Sequence, residues 1–169
     1  MRRALVVLAI GLGAASLGCA TLLPRLPPSY TPCAPAALVA PAELGADFRW
    51  RARASLRRDG EERAALDVVF EKRGDRLVLV AFDPFGARAL AAVQEGDVLH
   101  VEPAPGRRRP VEAEALLADL GLLHGRGATA AGVEVTRDRT ESGAERAIVR
   151  DARCGSEAIY VTVEERPAS

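Results

Sequence analysis

Between Phe48 and Leu56 the chain alternates with period two: Phe48, Trp50, Ala52, Ala54 and Leu56 are apolar, and Arg49, Arg51, Arg53 and Ser55 lie between them. Successive side chains on a strand point to opposite faces, so the segment reads as a half-buried β-strand with one apolar and one arginine-rich face. Such a strand needs neighbours and a layer to cover its apolar side. The pattern recurs. After an Asp59-Gly60 turn, Leu66, Val68 and Phe70 alternate with Asp67 and Glu71, and Gly74-Asp75 turns the chain again, so the first two strands form a hairpin. Continuous apolar runs over Leu77–Phe82 and Ala87–Val93 flank Asp83-Pro84-Phe85-Gly86, whose proline and glycine interrupt the pairing in a tight loop. Val98, Leu99 and Val101 supply a fifth strand, and further strand patterns lie around 133–139, 146–152 and 158–164.

One segment breaks this series. Glu112 to Leu123 is rich in helix formers, with Leu116, Leu117, Leu120 and Leu123 spaced to cover one face. Strands, one helix, then strands predict an α+β fold: a mainly antiparallel sheet of about eight strands, curved enough to wrap the helix. The leucine stripe either caps the sheet or lines a ligand cavity. Pro103 to Pro110, with Arg107, Arg108 and Arg109, is expected as a solvated loop, the alternative being a contact with anionic headgroups.

The first residues form an address. Arg2 and Arg3 precede an apolar run from Ala4 to Ala15 and then Ser16-Leu17-Gly18-Cys19, the charged, apolar and small-residue sections of a secretory signal. The run is too short to span a bilayer as a helix. Its ending resembles a bacterial lipobox, which makes Cys19 the acylated mature N-terminus. Ser16 stands where a large aliphatic residue is usual, and cleavage after Ala20 in a plainly secreted protein is the alternative. By resemblance to lipoproteins with a residue other than Asp after the cysteine, Ala20 implies sorting to the outer membrane. The expected organisation is a signal over 1–18, a lipidated and proline-rich tether over 19–41, and one folded domain over 42–169. Pro24, Pro27, Pro28, Pro32, Pro35 and Pro41 keep the tether from forming regular helix. Cys33 and Cys154 are an even pair in an oxidising compartment and are expected to form a disulfide, the alternative being two separate thiols.

Composition narrows the function. The 169 residues carry 23 Lys+Arg against 23 Asp+Glu, so the chain lacks the basic excess that phosphate-backbone binding requires, and no nucleic-acid partner is expected. Lys72 is the only lysine, which makes the arginines a matter of base composition rather than a binding signal. His100 and His124 are the only histidines and no HExxH or Cys/His cluster is present, so neither a metal nor a cofactor is expected. There is no GxSxG elbow, and the glycines at 125, 127 and 132 follow a helix rather than a strand, unlike a phosphate loop. Binding rather than enzymatic catalysis is the expectation.

The run from Arg76 to Leu90, with its Pro84-Phe85-Gly86 loop between two apolar strands, followed by Gly96-Asp97-Val98-Leu99 and an acidic, leucine-rich helix, resembles the LolB-like outer-membrane lipoproteins. The likeness spans about residues 44 to 165 in element order. It implies an incomplete antiparallel β-barrel with a helical lid, a LolA/LolB-like fold whose apolar interior accepts acyl chains. It also implies partners: membrane lipid, acylated lipoprotein cargo or another lipid, and a LolA-like periplasmic carrier. In that family the loop reads Asn-Pro-Leu-Gly and its protruding leucine is needed to place cargo in the outer membrane; the matching position here is Phe85. The cavity lining implied is Trp50, Leu56, Leu66, Val68, Phe70 and Leu79 with Leu116, Leu120 and Leu123. The Trp-containing segment that follows the helix in LolB is lacking, so the lid is smaller and a different cargo is implied.

Overall fold

The computed structural model describes residues 37–103, 112–125 and 131–168. The signal segment, Cys19, Cys33, most of the tether and the Arg107–Arg109 run lie outside the described residues. Five strands come first: β1 (Phe48–Arg58), β2 (Glu61–Arg73), β3 (Arg76–Phe82), β4 (Arg88–Glu95) and β5 (Val98–Pro103). The helix α1 (Ala113–Leu123) follows, and then β6 (Val133–Arg139), β7 (Glu145–Asp151) and β8 (Ser156–Pro167). All eight strands form one antiparallel sheet in the order β5-β4-β3-β2-β1-β8-β7-β6. The sheet is open, with β5 and β6 at its edges.

The topology explains the helix. The chain meanders outward from β1 to the β5 edge, and must then cross to the opposite edge to begin β6. It does so through α1, laid over the apolar face. A helix of 11 residues is about 16 Å long, whereas β4 and β7, both of which it touches, are five strand spacings apart, about 24 Å in a flat sheet. The sheet therefore curls over the helix. Register irregularities at Arg51/Ala52, Leu56/Arg57 and Ala81/Phe82 add local bends.

The burial of α1 departs from the one-sided stripe read in the sequence. Ala113, Ala115, Ala118 and Gly121 are buried along with Leu116, Leu117, Leu120 and Leu123. A helix covered nearly all round is a core element rather than a surface cap. The segment ahead of β1 also packs: Leu38 and Val39 lie against the core, Pro41 and Leu44 of a short 3-10 turn (Pro41–Leu44) are buried, and the Val39 carbonyl accepts from Gln94 Nε2 at 3.0 Å. These are the last residues of the expected tether and the first of the expected domain.

The alternation read over Phe48–Leu56 holds residue for residue, with Phe48, Trp50, Ala52, Ala54 and Leu56 buried and Arg49, Arg51 and Arg53 exposed. At its start, Lys72, the sole lysine, turns inward and is almost fully buried. Its Nζ donates to Asp47 Oδ1 at 2.8 Å, and the same oxygen accepts from the Gly74 backbone at 2.8 Å, which ties the entry of β1 to the β2–β3 turn. The ammonium at its side holds the Asp47 carboxyl below the usual range.

Candidate lipid-contacting loop and core

The loop between β3 and β4 is built by one carboxylate. Asp83 Oδ1 accepts from the backbone N–H groups of Phe85 at 3.0 Å and Ala87 at 2.9 Å. The Asp83 carbonyl accepts from Gly86 N, and Asp83 N donates back to the Ala87 carbonyl, both at 2.9 Å. Pro84 presets the first corner, and Gly86 takes φ +80°, which a residue with a side chain adopts only under strain. The strands resume pairing at Phe82 and Arg88 on either side. The N–H groups of Phe85, Gly86 and Ala87 thus all have local partners, and the side chain of Phe85 is left pointing into solvent at 95% exposure. Among the described residues, Val98 and Val163 are the other large apolar residues that stand exposed, at 56% and 49%.

The nine residues expected to line a cavity are all buried and belong to one hydrophobic cluster. At its centre the Trp50 ring lies 5.5 Å from Phe70 in a stacked arrangement and 5.7 Å from Tyr160. The Trp50 Nε1 donates to Thr162 Oγ1 at 3.1 Å, satisfying the indole. Leu56, Val68, Phe70, Leu79 and Leu120 expose nothing to solvent, so these side chains fill the space between sheet and helix with one another. Trp50 and Leu123 also border a cleft of about 270 Å³ at the C-terminal end of α1, shared with His124, Arg137, Glu145 and Glu165. There the His124 ring stacks on Phe48 at 4.6 Å, and Arg137 donates to the Leu123 carbonyl at the helix end. Desolvation lowers the affinity of His124 for a proton.

Sequence reasoning passed over Asp119. It sits in α1 among the leucines, and its Oδ2 accepts from Tyr160 Oη at 2.7 Å. The phenol stabilises the ionised carboxylate, but desolvation by the surrounding core wins, and the carboxyl is pushed up to about 7. A single acid inside an otherwise apolar helical run was the available signal. Asp83 was also missed, although an aspartate directly before Pro-X-Gly is the residue type that closes an Asx turn.

Cys154, in the turn between β7 and β8, is disulfide-bonded; its expected partner Cys33 lies outside the described residues. Among the described residues no group of three or more His, Cys, Asp or Glu side chains is placed to hold a metal ion. No helix among them is long and apolar enough to cross a membrane. The chain matches no protein-family model and no curated protein sequence.

Proposed function

We propose that this chain is a lipid-anchored outer-membrane lipoprotein facing the periplasm, which uses the Phe85 loop to engage acyl chains and assists the receipt or insertion of lipoproteins or other lipids. The supporting observation is Phe85 itself: a large apolar ring at 95% exposure, on a loop whose backbone is braced by Asp83. Leaving a phenylalanine in water forgoes about 1.5–3 kcal/mol of burial, and the bracing stops the ring from folding back to recover it. The firm anchor in this reading is Cys19, since each buried methylene of an acyl chain contributes about 0.8 kcal/mol. Phe85 is then free to act locally, by wedging between lipids or by gripping a cargo chain. The LolB-like order of strands, Pro-bulky-Gly loop and acidic helix points the same way. No covalent step and no cofactor enter this reading.

The packed core favours a second reading, in which the domain is a structural or protein-interaction module of the envelope and carries no cargo. With the interior filled by its own side chains, an acyl chain reaches it only if α1 lifts from the sheet. A cellular test separates the two. Phe85→Glu should leave the abundance and anchoring of the chain unchanged while lipoproteins accumulate outside the outer-membrane fraction. Normal lipoprotein localisation in that variant would refute the transport reading and leave the module reading standing.

A further inference from the structure

The face of the sheet turned away from α1 carries a trough of short and aliphatic side chains, in which the Ser55 hydroxyl donates to Glu62 at 2.7 Å. Pairing aligns Ala65 of β2, Ser55 of β1, Ile159 of β8, Ile148 of β7 and Thr136 of β6 in one row across five strands. At about 4.8 Å per strand the row is about 19 Å long, comparable with an extended acyl chain. Each of its residues is half-buried although no second layer from the described residues is needed to explain it, because longer charged side chains stand on both sides. One flanking row holds Arg57, Glu157 and Arg150; the other holds Asp67, Arg53 and Arg146, with Val161 between the two arginines. At the β2 end the trough deepens into a groove of about 380 Å³, whose walls include Ala65, Leu66, Ile159, Val161, Arg53 and Pro84. Pro84 belongs to the Phe85 loop, so the groove ends against that loop.

We infer that this groove seats one acyl chain of an anionic phospholipid, with the headgroup at Arg53. The charge is placed for it. Arg53 borders the groove with its side chain 78% exposed, and its contact with Asp67, at 3.8 Å, is long, so its guanidinium is open to an anionic group from solvent. The buried interior is already filled, whereas this groove is open and continuous with the loop. The assignment rests on the proposed role of the Phe85 loop at a lipid surface, and it moves the lipid-binding site from the inside of the curved sheet to its outside.

The test is photo-crosslinking of the full chain in vesicles containing phosphatidylglycerol with a photoactivatable acyl chain, followed by peptide mapping of the adducts. Adducts on residues 64–67 and 159–161 are expected, together with adducts at Phe85. In Ile159→Glu the groove adducts should fall at least tenfold while those at Phe85 persist. Adducts confined to 84–87 would overturn the groove and leave the loop reading intact. Adducts on α1 would overturn the groove in favour of the interior, and absence of adducts anywhere would overturn both the groove and the loop. Equal labelling from phosphatidylcholine carrying the same acyl chain would overturn the role given to Arg53.

Discussion

Asp119→Asn should remove most of the pH dependence of stability between pH 4 and 7. In the folded chain the Asp119 carboxyl titrates near 7 instead of its ordinary 3.8, because core burial outweighs the hydrogen bond from Tyr160. Across that interval the folded state keeps a proton that the unfolded state has released. Stability therefore falls as pH rises from about 4 to about 7 and is flat above, where both states are ionised. At 1.36 kcal/mol per pH unit, the change from 3.8 to about 7 sets a ceiling of about 4 kcal/mol for this half-buried carboxyl, a large share of the 5–15 kcal/mol typical of a domain. The asparagine is neutral throughout and keeps a polar partner for the phenol, so the variant should match the wild type near pH 4 and exceed it by up to about 4 kcal/mol at pH 8. His124 acts in the opposite sense in part of the same window: its lowered proton affinity favours folding above its ordinary 6.5, and that gain is lost as pH falls. Both proteins carry His124, so the difference between their profiles isolates Asp119. Urea unfolding under non-reducing conditions, followed by the fluorescence of the sole tryptophan, Trp50, measures it directly, since that ring adjoins Tyr160. A wild-type profile that is flat from pH 4 to 7, or an asparagine variant with the same slope, would show that Asp119 does not titrate in this window.

Other substitutions probe different parts of the account. Phe85→Glu should change unfolding stability by less than about 0.5 kcal/mol, as an exposed position does, yet weaken vesicle binding of residues 20–169 without the acyl anchor at least tenfold; co-sedimentation of that unacylated domain with liposomes reads the second effect. Asp47→Ala should lower the thermal midpoint clearly more than Lys72→Met, because the first strands a buried ammonium and the second removes it, and scanning calorimetry of both compares them. Gly155→Ala should destabilise by about 1–2 kcal/mol, since φ there is +64° and an added Cβ would lie 2.4 Å from Asp59 Oδ1, and denaturant midpoints test it.

The strands were legible because burial of one sheet face imposes a period of two, which Phe48–Leu56 displays without interruption and Leu66–Phe70 with Val69 as the one apolar residue on the outer face. The β3–β4 loop was legible because Pro84 and Gly86 restrict the backbone to few conformations. The all-round burial of α1 was not, because Ala113, Ala115, Ala118 and Gly121 are read as indifferent helix residues until a curved sheet surrounds them. Polar contacts inside the fold were hidden for a related reason. Asp119 and Tyr160 are 41 residues apart, and Lys72 and Asp47 are 25 apart, so only the fold brings each pair within reach. The outer groove escaped notice likewise, since its row takes one residue from each of five strands.

Entry of Phe85 into lipid can be observed directly. Trp50 is the only tryptophan, so the double variant Trp50→Phe, Phe85→Trp places a single fluorophore at the loop tip. On addition of vesicles the emission should shift to the blue and be quenched by lipids brominated along their acyl chains. Emission that stays at the water-exposed position and is untouched by the brominated lipids would mean that the loop tip stays in water.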